Sequence, residues 1–369
     1  MKFICVQNKI RSALEQAAMT SSKNQELQVL GCFLIEAKNN KLIIQTTNID
    51  VATQIEIPAQ VDSEGIAAVP VEVFLKVVTS NKDSQEAIEC ELQEHNLLVT
   101  TKRNSTTIKT IPYEDFPTSP YITDGSSLAV PTKKLIEGIT SVSFCAAHSN
   151  IKPELSSVFI YSEGTDVFFV CTDGFRLAEK RLPQIQIEQD LSLLLPIQAA
   201  DIIAKMLERI DDEMDVLITY TDNQIAFSTE DLYITSRLVA GNFPDYKQLI
   251  PTEKTTSAVM LKADLHDTMR LIGVFSDQFY EVSLEVKPSE KYFALYTQNK
   301  DVGQNQSKVD AALEGEDVLI KFNHRYIQDV FPSIASDSME MSFTEANKPL
   351  KIETVPSSAF TYIVMPLNK

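Results

Sequence analysis

Three stretches of this 369-residue chain share one layout at a fixed interval. LIIQTTNIDVATQIEI from Leu42, VFFVCTDGFRLAEKRL from Val167 and YFALYTQNKDVGQNQSKV from Tyr292 each run from an apolar strand through a threonine and polar turn residues into a second extended segment. Their threonines, Thr47, Thr172 and Thr297, stand 125 residues apart each time. A second landmark keeps nearly the same step: AAVPVEVFLKVV, LLLPIQAADIIAKML and VLIKFNHRYIQDVF align at Pro70, Pro196 and Phe322, 126 apart. In each, a short apolar strand enters an amphipathic helix, clearest in Ile202, Ile203, Met206, Leu207 and Ile210. Earlier in each unit FICVQNKIRSALEQAAM, LAVPTKKLIEGITSVSF and AVMLKADLHDTMRLIGVF supply a strand and another helix, with Ile10, Ala13, Leu14 and Ala17 on one buried face. Two units close with DFP (Asp115 to Pro117) and NFP (Asn242 to Pro244); the third ends in YIVMPLNK. Landmarks in one order and one period predict three α+β domains, 1–124, 125–252 and 253–369, each with two helices and several strands. The unit is far longer than a solenoid repeat and needs its own core.

The bulk properties exclude more than they assign. With 44% hydrophobic and 23% charged residues, the chain reads as an ordinary soluble globular protein. It has no apolar run of 18 residues, and MKFICVQNKIRSAL lacks the pattern of a secretory signal, so a cytoplasmic protein without membrane contact is expected. Cys5, Cys32, Cys90, Cys145 and Cys171 are odd in number, form no CxxC and sit in apolar runs, as buried free thiols do. His95, His148, His266 and His324 are scattered, so no metal site is expected. Ten glycines, no two closer than ten residues, rule out Walker A, GxGxxG and GxSxG loops. An enzyme would have to use Asp173, Arg176 and a distant histidine, and no base and nucleophile pair stands at usable spacing. Neither catalysis nor a cofactor is expected.

VCTDGFRLAEKRL sets an Asp-Gly pair between two apolar runs, a hairpin signal of the type I′ kind. The net charge of −18 speaks against a tight grip on nucleic acid, which needs phosphates neutralised. The charge is uneven, however. Six expected helices (9–20, 71–82, 132–142, 198–210, 262–273 and 324–332) hold 11 Lys plus Arg against 8 Asp plus Glu, leaving −21 for the rest. Ordinary solvated helix faces and a surface turned toward DNA both fit that balance.

The tripled unit, TDGFRL, NFPDY (Asn242 to Tyr246) and the terminal YIVMPLNK together resemble the bacterial sliding clamp family, the beta subunit of the replicative DNA polymerase III, over the whole length of the chain. The resemblance implies a homodimer whose six domains close head to tail into a ring around double-stranded DNA, helices inside and strands outside. Twelve helices about 9 Å apart would give a hole of roughly 34 Å, enough for a duplex and a water layer. Encirclement needs little direct affinity, so an acidic exterior ceases to be an objection.

The family also implies a pocket for short partner peptides, glutamine first and leucine or phenylalanine later, presented by the replicative polymerase subunit, the clamp loader and other clamp-motif proteins. Carried over, it comprises Leu155, Thr172, Gly174, Phe175, Arg176, Leu177, Pro244, Gln248, Leu249, Ile363, Val364, Met365, Pro366 and Leu367. Leu155, Leu177, Leu249, Val364 and Met365 would form an apolar recess, Gly174 would admit a close backbone, and Arg176 would hold a polar group or a structural ion pair. TDGFR would then be both a hairpin and one wall of a site. DNA-facing residues would be Lys23, Lys152 and Lys205, and the seam between copies would involve Ile108, Val274 and Phe275. Departures from the family pattern are Phe175 in place of a common histidine, Gln248 and Asn368 where bases often stand, Pro153 and Glu154 in a segment expected to touch DNA, Pro70-Val-Glu-Val without basic side chains, and Thr106 where a large apolar residue would strengthen the seam. A clamp-derived interaction scaffold that no longer encircles DNA is the alternative.

Overall fold

The computed structural model describes residues 1–22, 27–80, 86–117, 121–149, 151–187, 189–211, 214–345, 347–357 and 359–367. In the first repeat β1 (Lys2–Val6) enters α1 (Gln7–Ala17), followed by β2 (Cys32–Lys38), β3 (Lys41–Thr47), β4 (Val51–Pro58), β5 (Gln60–Ser63), β6 (Gly65–Pro70), α2 (Val71–Thr79), β7 (Ala87–Gln93), β8 (Asn96–Thr100) and β9 (Ser105–Lys109). The second holds β10 (Ser126–Pro131), α3 (Thr132–Ser143), β11 (Ser157–Glu163), β12 (Asp166–Thr172), β13 (Arg176–Leu182), β14 (Ser192–Pro196), α4 (Ile197–Leu207), β15 (Asp215–Tyr220), β16 (Gln224–Ser228) and β17 (Leu232–Arg237). The third holds β18 (Thr256–Leu261), α5 (Lys262–Val274), β19 (Glu281–Lys287), β20 (Tyr292–Asn299), β21 (Gly303–Lys308), β22 (Ala311–Gly315), β23 (Val318–Asn323), α6 (His324–Asp329), β24 (Ser338–Phe343), β25 (Leu350–Val355) and β26 (Phe360–Val364).

The sequence period reappears as strand register. Leu34 faces Gln45, Phe159 faces Val170 and Leu284 faces Leu295, each step being 125 residues. Likewise Cys32 faces Pro70, Ser157 faces Pro196 and Val282 faces Phe322. Equal spacing in sequence therefore places equivalent residues at equivalent rungs of three sheets.

Two compact units result, one of residues 1–133 with 202–238 and one of 134–201 with 239–369. They do not coincide with the repeats, because strands of consecutive repeats share sheets. In the first unit an eight-stranded sheet runs β10-β15-β16-β17-β4-β3-β2-β6, and a five-stranded sheet runs β5-β1-β7-β8-β9. Period-2 alternation along β4 buries Val51, Thr53, Ile55 and Ile57 on one face. Helix α1 lays Ile10, Ala13, Leu14 and Ala17 on the core, and the buried Gln7 amide donates to the Val78 carbonyl of α2 at 2.7 Å. Phe3, Phe33 and Phe74 are wholly buried, each contributing about 2–3 kcal/mol of transfer free energy.

In the second unit a nine-stranded sheet runs β14-β11-β12-β13-β26-β25-β24-β18-β22, and a four-stranded sheet runs β21-β20-β19-β23. Helix α5 buries Leu265, Met269 and Ile272. Helix α6 stops at Asp329, short of the expected 332, and passes into a 3₁₀ turn at Phe331–Ser333. Pro332 accounts for this, since it has no N–H to continue the i to i−4 hydrogen bonds of the helix. Asn323 starts α6 by accepting from the Arg325 backbone N–H at 3.0 Å. Helices α1, α2 and α4 also end earlier than expected, at Ala17, Thr79 and Leu207.

Candidate partner-peptide pocket

The hairpin of β12 and β13 is not the two-residue type I′ turn that Asp-Gly suggested. Its last pair is Thr172 with Leu177, leaving Asp173 to Arg176 as a four-residue loop. Asp173 Oδ1 accepts from the backbone N–H of Phe175 (2.9 Å) and of Arg176 (3.0 Å). Thr172 Oγ1 accepts from the Gly174 N–H at 3.1 Å and donates to the Arg176 carbonyl at 2.7 Å. Of the Asp-Gly pair, Gly174 alone has positive φ, +91°, and nothing lies within 4 Å of where its Cβ would be. A short carboxylate side chain thus replaces one of the two left-handed residues a tighter turn needs.

Around Asn48 the first repeat builds the same loop. Thr47 Oγ1 donates to the Val51 carbonyl at 3.0 Å and accepts from the Ile49 N–H at 2.9 Å; Asn48 Oδ1 accepts from Asp50 and Val51. The third repeat departs from it. Strand β20 continues past Thr297, which faces Asn305, and Thr297 Oγ1 donates instead to the Glu281 carbonyl at 2.9 Å.

Arg176 is buried, 7% exposed, with a partner at each of its three side-chain nitrogens. Its Nε meets Asp173 Oδ2 at 2.9 Å, Nη1 meets Asp329 Oδ2 of α6 at 2.5 Å, and Nη2 donates to the Phe144 carbonyl after α3 at 2.9 Å. The guanidinium lies 4.7 Å from the centre of the Tyr326 ring. Burial alone would lower its pKa, but Tyr362, Asp329 and Asp173 more than restore it, so the charge persists. Of the two roles expected for Arg176, the ion pair is the one present: it ties the turn to two helices.

Strand β26 pairs directly with β13, Arg176 facing Val364, Leu177 facing Ile363 and Ala178 facing Tyr362. The chain end continues the contact, Met365 N–H donating to the Phe175 carbonyl at 2.8 Å and Leu367 N–H to Lys321 at 2.8 Å. Phe175, Arg176 and Leu177 are thereby brought against Ile363, Val364 and Met365, with Thr172 and Gly174 in the same loop and Pro366 and Leu367 continuing the chain end. Two residues expected to line a recess, Leu177 (1% exposed) and Val364 (0%), lie in the core rather than at the surface. Accessible apolar area comes from Phe175 and Leu249, with Leu155, Met365 and Leu367 half-buried.

Pro244, Gln248 and Leu249 ride on the linker Phe243 to Ile250, which the sequence did not connect to its anchor. Leu177, Ile363, Val170 and Tyr246 form one cluster, packed by Phe159, Tyr161, Phe168, Phe243 and Ile250. Phe168, Tyr161, Phe159 and Phe243 stack in a row, with centroids 4.9, 5.0 and 4.8 Å apart. Tyr246 shares a hydrogen bond with Tyr161 (2.7 Å) and donates to Glu179. Burial, then the Glu179 bond, drives its pKa up. Period-2 aromatics in FIYSEGTDVFF were the available signal for this platform.

Of the other expected sites, Lys23 lies outside the described residues, as does Asn368. Lys152 is exposed, in a turn whose carbonyl accepts from Leu155 at 3.0 Å, and Lys205 is exposed on α4. Val274 is 61% exposed and Phe275 half-buried. Ile108 lies on β9, the edge strand of its sheet as expected, with its side chain turned inward at 3% exposure and its backbone at the edge. All five cysteines are free and buried, burial pushing the Cys5 thiol up to about 12. No helix among the described residues is long and apolar enough to cross a membrane.

The structure is a tripled α+β unit in which strands of consecutive repeats share sheets. Residues 1–120, 129–245 and 247–368 match, in order, the N-terminal, central and C-terminal domains of the DNA polymerase III beta subunit. The chain is 26% identical over 388 residues to the beta sliding clamp of Synechocystis sp., covering 100% of this chain and 99% of that one. It is 24% identical over 370 residues to the beta sliding clamp of Escherichia coli (strain K12), covering 100% of both. Among solved structures, the DNA polymerase III beta subunit of Thermotoga maritima superposes with a TM-score of 0.93 at 26% identity, covering 100% of this chain and 99% of that one. A Pseudomonas aeruginosa DnaN sliding clamp bound to griselimycin shares the fold at TM-score 0.94 and 23% identity, covering 100% of both. The chain belongs to the DNA polymerase III beta subunit family, the sliding clamps, which are non-catalytic processivity factors.

Proposed function

We propose that two copies of this clamp close head to tail around double-stranded DNA in the bacterial cytoplasm, and that the groove between TDGFR and VMPL holds short peptides of the replicative polymerase, the clamp loader and other clamp-motif proteins. The observation that carries the pocket is the pairing of β26 on β13, which sets Phe175 and Met365 beside an apolar cluster that also anchors the linker bearing Leu249 through Phe243, Tyr246 and Ile250. Such a groove suits leucine and phenylalanine side chains, and Met365 adapts to either. Lys152 and Lys205 would meet phosphates loosely, as sliding requires. The three domains would divide near residues 124 and 252.

Calorimetric titration with a QLxLF-type peptide tests the pocket. Leu249→Asp and Met365→Asp probe it without touching the buried Leu177, whose replacement by a charge would disturb folding. Binding by the parent chain and its loss in both variants is expected; equal binding by all three would refute the assignment. Retention on nicked circular DNA after loading separates a ring from a scaffold that only binds peptides.

A further inference from the structure

In the first unit Leu217 faces Ser228, Ser228 faces Tyr233 and Tyr233 faces Gln54, so β15, β16, β17 and β4 set these four side chains in one row. The stretch after DFP forms a wall beside that row. Tyr121 lies on Tyr233 with ring centres 4.5 Å apart and accepts from the Gln54 amide, and the Ile122 N–H donates to Tyr233 Oη at 2.9 Å. This wall and the β16–β17 hairpin line a cavity of about 330 Å³. Leu217 (45% exposed) and Tyr121 (53%) give it accessible apolar and aromatic surface. Glu56, Glu230 and Asp231 add carboxylates, and no lysine or arginine is among its lining residues. Lys41 meets Glu56 at 3.1 Å, whereas Glu230 and Asp231, both exposed, have no cationic partner among the described residues.

The second unit repeats this sheet, β18-β24-β25-β26-β13 standing for β10-β15-β16-β17-β4. Val259 faces Glu340 as Ala129 faces Leu217, so the matching row is Glu340, Glu353, Thr361 and Glu179. Each carboxylate of that row has an internal partner: Lys254 on Glu340, Lys351 on Glu353 and the Tyr246 hydroxyl on Glu179. Two residues before β10 the first unit carries Asp124, where the second carries Lys254 before β18. Acid on this face is therefore balanced from within in one unit and left open in the other. We propose that the groove of the first unit holds a basic peptide segment, an arginine laid along Leu217 and Tyr121 with its guanidinium on Glu230 and Asp231. Arginine fits because its stem covers apolar surface, its planar head stacks on an aromatic ring and its fork pairs with carboxylates. A bare metal ion fits worse, since no cluster of three or more ligating side chains exists among the described residues. The volume admits a side chain or two of a short segment and not a folded domain. The site shares no residue with the pocket at TDGFR and VMPL, and it does not depend on ring closure.

Fluorescence anisotropy of a labelled acetyl-ARLRA-amide peptide on the full chain tests this. The parent is expected to bind it, and to ignore the acidic analogue acetyl-AELEA-amide. Glu230→Gln with Asp231→Asn is expected to weaken binding at least about tenfold. Asp222→Asn with Glu94→Gln removes the same charge at exposed positions outside the groove and should change affinity by no more than about twofold. Unlabelled QLxLF-type peptide should leave the labelled probe in place. Equal weakening by the two pairs of substitutions would overturn the site, because the net charge of −18 would then account for the binding. Displacement by the QLxLF-type peptide would move the probe to the other pocket and overturn it as well. No binding by the parent at millimolar peptide, or equal displacement by spermidine, which has charge without a planar head, would overturn the arginine assignment.

Discussion

Ile49 adopts φ +83° at the loop position that Gly174 occupies with φ +91° in the next repeat. Both loops carry the same threonine and Asx hydrogen bonds, so the backbone is set by those bonds and not by the residue at its left-handed point. For a β-branched side chain that point is strained by about 1–3 kcal/mol. Ile49 is 43% exposed and contributes little burial in return. Ile49→Gly is expected to stabilise the chain by about 1 kcal/mol after glycine's own entropy cost, seen as a rise in the thermal midpoint. For the converse, Gly174→Ile, the added Cβ meets no atom within 4 Å, so the cost at that atom is backbone strain. It is expected to lower that midpoint and to weaken peptide binding by crowding the groove. An unchanged midpoint in both variants would refute the strain argument.

Arg176 joins a turn to two helices through one guanidinium. Arg176→Met keeps volume but removes the guanidinium donor from Asp173 Oδ2, Asp329 and the Phe144 carbonyl. Breaking a buried pair typically costs on the order of 3 kcal/mol. Asp329→Asn should cost much less, because that carboxylate is 46% exposed. Urea unfolding followed by circular dichroism ranks the two, and peptide affinity should fall with Arg176→Met. Equal midpoints for the two variants would mean the guanidinium does not hold the turn.

Tyr246 offers a narrower probe. Tyr246→Phe preserves the aromatic packing on Tyr161 and Phe243 but removes the hydroxyl that Glu179 and Tyr161 share. A loss of about 1–2 kcal/mol is expected for such a buried group. Because the linker carries Gln248 and Leu249, peptide binding should weaken while helix content stays constant. Full affinity in Tyr246→Phe would show that the linker is held by stacking alone.

The period of 125 residues was legible because equal spacing becomes equal register, as Leu34, Phe159 and Leu284 show at one rung of their sheets. Helix faces such as Ile10 to Ala17 were legible for the same reason. What pattern could not carry was depth. Leu177 and Met365 read alike as apolar pocket residues, yet one lies in the core and the other is half-buried, because burial depends on the strand laid beside it. Ile108 was legible as an edge-strand residue but not its depth, since an edge strand exposes its backbone while alternate side chains still point inward. Arg176 was left between two roles because Asp329, 153 residues away, is invisible to local spacing.

His324 opens α6 with its ring buried, 4% exposed, and neither Nδ1 nor Nε2 has a hydrogen-bond partner among the described residues. Tyr280 meets it edge-on at 5.8 Å. Burial, and then Arg325, lowers its pKa below the ordinary 6.5, against weaker upward pulls from Asp329 and Asp277. A neutral imidazole is therefore favoured in the folded chain. As pH falls through 6.5 the unfolded chain takes up this proton first, so stability declines from there until the folded pKa is passed, and then levels. His324→Phe should remove that part of the slope that begins below about pH 6.5 while leaving the carboxylate-driven loss. Chemical denaturation midpoints across this range measure it directly. Parallel curves for the parent and His324→Phe would show that the imidazole is already charged, or already solvated, in the folded state.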